Sequence, residues 1–441
     1  MSRDTVDDLQ AIADAIVAEA KPGEQIAAHL SRSTETDVRV RNGEVEHFVS
    51  AQSQGVSVTV IVDGRTGSSS AGTFDEASWR EVLAEARENA EYGSVDEFAG
   101  LAEPDGVPVV EQKLWDNELA AFPTDKKIEI AKELERLVLA EDSRLRIDDA
   151  NYSDGSTEEA SATTLGIRSS SRSNSCYATV SVLVDDNGET QTGWAFALGD
   201  NPAQFDLPAA AKKAAVRATR LLGAVKPASK VTTVVLDPMV TSQFLSIIGG
   251  TLNGESVSKG RSIFADRIGE QVASPLITLV DDPTDSRAYY ARETDGDGLA
   301  ARRNVLIENG VLKMFVHDAY SARRMKTHST GNAGGCVALQ LTPGTKTQEE
   351  LIAGIEDGVL IDSVQGLHSG VNPVSGDFST GASGLVIRNG KTAEPIREFT
   401  IASTLQRMLL DVQEIGADVD WLPMRAVGVS LVISGVTMSG A

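Results

Sequence analysis

Histidine, cysteine and carboxylate side chains are the groups that could do hydrolytic chemistry here, and they are sparsely set. The imidazoles are His29, His47, His317, His328 and His368. A zinc hydrolase built on one helix needs two histidines about a turn apart, so that both nitrogens reach one ion. His317 and His328 are the closest pair and lie well outside that spacing. His317, His328, Cys336 and His368 could hold a metal only if the fold gathered them. Asp281, Asp282, Asp285, Asp295 and Asp297 form an acidic cluster with the oxygen donors that suit Ca²⁺ or Mg²⁺. Asp295-Gly296-Asp297-Gly298 lacks the remaining ligands and closing Glu of a calcium loop, so the spacing favours a solvated turn. Gly64-Arg65-Thr66-Gly67 and Gly331-Asn332-Ala333-Gly334-Gly335 are glycine-rich, yet neither has the Gly-Lys-Ser/Thr of a phosphate loop. The first reads as a hairpin end, the second as backbone that comes close to a ligand or strand. Ser68 to Ser70 and Ser169 to Ser173 have no nucleophile-elbow context and read as loops or solvent faces of strands. Chemistry alone therefore singles out no catalytic constellation.

Charge narrows the partners. Forty basic and 64 acidic residues among 441 give a net charge of −24. A protein binds a duplex by neutralising phosphates with Lys and Arg, and no basic stripe is present. Direct nucleic-acid binding and docking on an anionic membrane are disfavoured. Two cysteines, Cys176 and Cys336, are too few for a disulfide framework or a four-cysteine zinc site, and read as buried free thiols. Met1 to Ala20 carries Asp4, Asp7, Asp8 and Asp14 without an apolar block, so it does not read as a signal peptide. No segment approaches about 18 uninterrupted apolar residues. A cytoplasmic protein is expected.

The elements that must position these residues follow from periodicity. Val6, Leu9, Ala13, Ile16 and Ala20 sit at helical spacing, as do residues of Ser78 to Tyr92, Thr124 to Glu141 and Leu207 to Ala224. Alternating strands turn at Asn42-Gly43, Asn187-Gly188, Asn309-Gly310 and Asn389-Gly390, where both positions want φ > 0. Strands are also expected from Leu145, with a turn at Asp154-Gly155, and over Val56 to Val62, Val231 to Leu236 and Val427 to Val436. Thr241 to Ile248, Gln348 to Ile355 and Ser403 to Ile415 read as helices. The fold class is α+β in two domains, with mostly antiparallel sheets, hairpins and several long helices. Residues 1–226 would form an N-terminal α/β domain and 227–441 a strand-rich C-terminal domain. The strand–helix alternation of a dinucleotide fold is absent.

An ordered set of segments resembles the family of TldD and TldE (the latter also called PmbA), modulators of DNA gyrase and subunits of a cytoplasmic zinc-dependent peptidase. The segments are Ser274 to Pro283, Asp295 to Gly298, Arg302-Arg303, Leu306 to Leu312, Ser329 to Ala333, Gly370 to Ser379, Gly384 and Asn389-Gly390. The N-terminal helix, Val56 to Gly67 and Phe74 to Ala90 are also similar. The catalytic member of that family carries H-E-x-x-x-H on a helix and a late cysteine as a further zinc ligand. The matching stretch here is Val240 to Gly250, which holds neither His nor Glu, and no cysteine follows Cys336. Ligands and general base are lost together, as in the TldE/PmbA branch. The ending, Val432 to Gly440, is similar to that branch too.

The resemblance implies a PmbA/TldD-like fold and a hollow heterodimer with a zinc-bearing TldD-like partner that cleaves unfolded peptides. It implies no catalytic residue, no metal ligand and no cofactor in this chain. Asn332, Asn372 and Phe378 are the candidate substrate-binding residues, by their place in the shared motifs, beside the alternative that they are turn and packing residues. Two other readings stand against the partner subunit. One is an autonomous metallopeptidase with a non-standard metal site drawn from His317, His328, Cys336 or His368. The other is a non-enzymatic regulator of gyrase or of a toxin–antitoxin pair. Homo- or hetero-oligomer is left open.

Overall fold

The computed structural model describes residues 6–186 and 188–441. They fall into two compact units. One runs up to Gly106 and resumes over Lys113–Leu222; the other takes Val107–Gln112 and Gly223–Ala441.

The first unit is one antiparallel sheet backed by helices. Its elements are α1 (Val6–Ala18), β1 (Gln25–Arg41), β2 (Glu44–Val62), β3 (Arg65–Ala71), α2 (Glu76–Tyr92), α3 (Asn117–Ala120), α4 (Thr124–Glu141), β4 (Leu145–Thr163), β5 (Arg168–Asp186), β6 (Glu189–Gly199) and α5 (Leu207–Thr219). The sheet order is β3-β2-β1-β4-β5-β6. The β1–β2 turn is Asn42-Gly43, at φ 55° and 76°, the geometry that selects this dipeptide. The turn expected at Asn187-Gly188 involves residue 187, outside the described residues; β5 and β6 do pair antiparallel. Helices cover one sheet face by the expected stripes. Leu9, Ala13 and Ile16 of α1 and Trp79, Val82, Leu83 and Ala86 of α2 bury against Ile26, Leu30, Val58 and Val60. Leu134 and Val138 of α4 and the alanines of α5 bury against Val180, Val182 and Ala195. The α5 backbone comes so close to the sheet that a Cβ on Gly193 would lie 2.1 Å from the Ala214 carbonyl oxygen.

The structure corrects the turn expected at Asp154-Gly155. Both residues lie inside the continuous strand β4, paired to Thr36 and Glu35 on one side and to Cys176 and Ser175 on the other. The Asp154 carboxylate accepts from Tyr152 Oη at 2.7 Å and pairs with Lys127 Nζ at 2.6 Å. Long neighbours on both sides hold the strand straight where an isolated Asp-Gly would turn.

The second unit holds β7 (Lys230–Leu236), α6 (Pro238–Thr251), α7 (Gly254–Ser258), β8 (Leu279–Asp281), β9 (Asn304–Glu308), β10 (Val311–Leu312), α8 (Ala319–Met325), β11 (Leu339–Leu341), α9 (Gln348–Ala353), β12 (Asp357–Gln365), α10 (Leu367–Gly370), β13 (Asp377–Arg388), β14 (Lys391–Thr404), α11 (Leu405–Leu410), β15 (Val412–Ile415) and β16 (Leu431–Ser439). A small sheet runs β10-β9-β8-β11 and a larger one β14-β13-β12-β7-β16-β15. In the larger sheet β7 and β12 are parallel and the other neighbours antiparallel. Thr400 to Ala402 of β14 also pair with Thr437 to Ser439 of β16, which closes β7, β12, β13, β14 and β16 into a ring. Closure removes the exposed edges of those strands.

Two further expectations change here. Ser403 to Ile415 is helical only over Leu405–Leu410 and continues as strand β15, because Thr404 caps a short helix and Val412 and Ile415 pair with β16. The closing strand starts at Leu431, later than Val427. The mixed helices and mostly antiparallel sheets are the α+β class read from the periodicity.

Candidate functional site

The stretch Val240 to Gly250, which the resemblance matches to a metal-bearing helix, lies on α6. The helix starts cleanly: Asp237 caps it by accepting from Met239 N at 3.1 Å, and Pro238 takes the first turn, where its missing N–H costs nothing. Val240, Phe244, Leu245 and Ile248 then point into the main core of the unit, among Leu236, Ile361 and Ile433. The Phe244 ring meets Phe378 edge-on at 6.3 Å. The polar positions are largely spent on backbone. Ser242 Oγ donates to the Ala426 carbonyl at 2.6 Å and Ser246 Oγ to the Ser242 carbonyl at 2.9 Å. Near its end α6 packs on Cys336, whose Cβ would stand 3.3 Å from a Cβ on Gly249. This helix is a strut in an apolar core and carries no His, Cys, Asp or Glu, so its residues do not fit a zinc ion.

Beside α6 lies a buried polar hub. Asp281, at the end of β8, is fully buried. One of its oxygens accepts from Val337 N at 3.0 Å and Ala338 N at 2.8 Å, the other from Asn332 Nδ2 at 2.6 Å. Asn332, 1% exposed, accepts in turn from Asn304 Nδ2 at 2.7 Å and Thr330 Oγ1 at 2.9 Å. Asn304 also donates to the carbonyls of Arg302 and Thr330. Burial pushes the Asp281 carboxyl above its ordinary value, against the lowering effect of the amides, Arg292 and Asn332. A saturated network of this kind fixes β8, β9 and the 330–338 loop against one another.

The Asp295-Gly296-Asp297-Gly298 segment is not the solvated turn its composition suggests. Asp295 is buried and accepts from the amides of Asp297, Leu299 and Ala333 at 2.9–3.0 Å. Asp297 accepts from Ala319 N at 2.8 Å, at the start of α8. Burial raises both carboxyls. Backbone amides, rather than water, supply the donors that these carboxylates need.

The structure scatters the metal alternatives. His317 is buried, its Nδ1 3.2 Å from Ser321 Oγ, and burial holds its pKa low. Cys336 is buried against α6 and its thiol is pushed well up by burial. His328 and His368 are exposed, His368 on the short helix α10. Among the described residues no three His, Cys, Asp or Glu side chains converge as a metal would require. The other cysteine, Cys176, is buried in the first unit, and its thiol is pushed up to about 12 by burial.

The three candidate substrate residues occupy different settings. Asn332 is the centre of the hub. Asn372 is exposed and its side chain accepts from Val374 N at 2.9 Å and Ser375 N at 3.2 Å, a turn motif. Phe378 is buried against Phe244. Sequence reasoning missed Asn304. The one signal for Asn304 is an amide at the head of an apolar strand, Asn304-Val305-Leu306-Ile307.

A two-unit α+β chain whose second unit is built on a closed ring of strands is the class that the fold defines. Descriptions of the PmbA/TldA metallopeptidase match in three consecutive pieces: domain 1 over residues 30–90, the central domain over 117–222 and the C-terminal domain over 229–440. The chain belongs to the PmbA/TldD metallopeptidase family. It is 24% identical to metalloprotease PmbA of Escherichia coli O157:H7, over 89% of this chain and 87% of that protein. It is 28% identical to a metalloprotease TldD homolog of Haemophilus influenzae, over 65% of this chain and 63% of that protein. Among solved structures, a Bacteroides thetaiotaomicron protein described as a modulator of DNA gyrase superposes with a TM-score of 0.90 at 26% identity, covering both chains fully. TldE of Thermococcus kodakarensis shares the fold with a TM-score of 0.87 at 21% identity, over 98% of this chain and 99% of that one. No helix among the described residues is long and apolar enough to cross a membrane.

Proposed function

We propose that this chain is the PmbA/TldE-type subunit of a two-chain peptidase, and that a TldD-like partner supplies the zinc and the cut. The observation that carries this reading is α6. In the stretch that the resemblance matches to the family's metal helix, Val240, Phe244, Leu245 and Ile248 lie in an apolar core and no His, Cys, Asp or Glu is present. A zinc-bound water needs three protein ligands and an open position, and this helix supplies none of them. The substrate in this reading is unfolded peptide. An extended chain can be held through backbone hydrogen bonds, which need no particular sequence. The charge of −24 speaks against a DNA-binding regulator. The dispersed His317, His328, Cys336 and His368 speak against an autonomous metallopeptidase.

The test is co-expression with a TldD-type chain. The expected result is a stable complex that holds about one zinc per pair, cleaves an unstructured peptide and loses activity with chelator, while the lone chain does neither. Stoichiometric zinc in the lone chain, with chelator-sensitive cleavage by it, would overturn the proposal.

A further inference from the structure

Strand β2 is longer than its outer neighbour. β1 pairs along its whole length, whereas β3 pairs only with residues 56–62. Among the described residues no other strand or bridge pairs with residues 44–55. None of them is buried, and only Val49, Ala51 and Gly55 are even half-buried. In an antiparallel ladder alternate residues turn both N–H and C=O away from the partner strand, so half of these residues offer a donor and an acceptor to solvent.

Such an edge invites another strand, and proteins blunt it with short length, Lys, Pro or covering side chains. The sheet's two end strands carry such devices. β3 has only seven residues, and Asn89 Nδ2 donates to its Ser68 carbonyl at 3.0 Å. On β6, Arg217 Nη1 donates to the Trp194 carbonyl at 3.1 Å. Residues 47–55 of β2 contain no Lys, Arg or Pro. The irregularity opposite Arg39 and Val40 lies beyond them, towards the hairpin turn.

The side chains along the edge define the strand that fits. On the face shared with the core residue Val38, Phe48 stands opposite it and is 44% exposed. On the other face Glu35 and Asp37 of β1 stand opposite Ala51 and Val49. The neighbouring arginines are engaged elsewhere, Arg32 with Glu158 and Arg41 with Glu46 and Asp148. An added strand would lie about 10 Å from β1, where a Lys or Arg side chain reaches towards those carboxylates. A second copy would bring the same acids and a further charge of −24 to the seam.

We infer that the free edge of β2, residues 44–55, takes an extended peptide of alternating basic and apolar residues as an added strand, held through its backbone and selected by Glu35, Asp37 and Phe48. The inference rests on the peptide-handling reading above and names a site and a substrate class for it.

The experiment uses the full chain and three short peptides with blocked ends and a neutral dye. One alternates Lys and Val, one alternates Glu and Val, and one is the Lys–Val peptide N-methylated at every residue. Binding is read by fluorescence anisotropy. The Lys–Val peptide is expected to bind at least about 10-fold more tightly than either control, and its lead over the Glu–Val peptide should shrink with salt. Glu35→Gln with Asp37→Asn should remove most of the Lys-over-Glu preference and leave the effect of methylation. Ala51→Pro and Gln52→Pro place the ring on successive residues, so one blocks the free edge and the other breaks the β1 ladder. The variant that keeps its native circular dichroism should bind the Lys–Val peptide about 10-fold more weakly or worse. If neither folds, the methylated peptide decides. Equal binding of the methylated peptide, no Lys-over-Glu preference, or unchanged binding by the folded proline variant overturns the inference. So does a dimer of this chain, or a complex with a TldD-type chain, that the folded proline variant abolishes, since the edge then belongs to a protein strand. Failure on the peptides alone leaves the two-chain reading intact. Failure of the wild type to form that complex sinks the two-chain reading without touching the peptide result.

Discussion

Truncating Asn332 to Ala should cost far more than truncating Asn372 to Ala, although both are asparagines in shared motif segments. Asn332 donates to a buried carboxylate at 2.6 Å and accepts two further bonds. Its loss leaves one Asp281 oxygen unpaired in the interior, worth roughly 1–3 kcal/mol. Asn304 keeps its bonds to the Arg302 and Thr330 carbonyls, and the Thr330 hydroxyl keeps the His317 carbonyl, so the two neutral bonds add only about 0.5 kcal/mol each. A small cavity adds about 1 kcal/mol, for a total of about 3–5 kcal/mol. In a unit of this size that lowers the midpoint by roughly 6–20 °C. Asn372 is exposed and caps two turn amides, so its truncation should cost about 0.5–1 kcal/mol. Differential scanning calorimetry of the full chain reads both, and hydrogen exchange at the Val337 and Ala338 amides reports whether the hub itself opens. A loss at position 332 below about 1 kcal/mol, or below that at 372, refutes the hub argument. Weakened peptide binding with unchanged stability would reassign Asn332 to substrate contact.

Two further outcomes follow from the same core. Phe378→Ala removes a buried ring that meets Phe244 edge-on, and should lower the urea-derived stability by about 3–5 kcal/mol; a loss under about 1 kcal/mol would place Phe378 outside the core. Asp281→Asn tests the pH sign. Burial raises the folded-state value above the ordinary 3.8, so the Asp281 contribution is complete below that value and is lost as pH rises through the raised one. Asn does not titrate, so the stability gap between wild type and variant should narrow from pH 4 to pH 7 in urea titrations. A widening gap means that the amides and Arg292 outweigh burial.

Local chemistry made the hairpins legible. At Asn42-Gly43, Asn309-Gly310 and Asn389-Gly390 the asparagines sit at φ 47–55° and the glycines at 75–80°, which few other pairs tolerate. The stripes of α1, α2 and α4 were legible for the same reason, since an amphipathic period survives any tertiary arrangement. What depended on distant partners was not. Asp154-Gly155 looks like a turn until β1 and β5 line up on either side. The aspartates of 295–297 look solvated until Ala333 and Ala319, 38 and 22 residues away, bring their amides. The hub joins positions 281, 304, 330 and 332, and no short-range pattern encodes that meeting.

The absence of ligands on α6 is structural as well as chemical. The family's zinc motif places donors at a first position, the next, and the fifth after the first. Slid along residues 240–250, every register puts at least one donor on a buried position of this helix: Val240, Thr241, Ser242, Phe244 or Leu245. Val240, Phe244 and Leu245 are packed in the core, Thr241 is fully buried, and Ser242 is committed to the Ala426 carbonyl. An imidazole or carboxylate placed there would be desolvated without its metal partners, and the cost of an unpaired buried charge exceeds what one substitution leaves to spare. His317, the buried imidazole of this unit, is held between Ser321 and Gly254, where a Cβ on Gly254 would lie 2.1 Å from Nδ1. The helix, its serine and the neighbouring histidine are thus all fixed by packing that a zinc site would have to dismantle. In the proposed two-chain peptidase, the division of labour would then follow from how this core is filled.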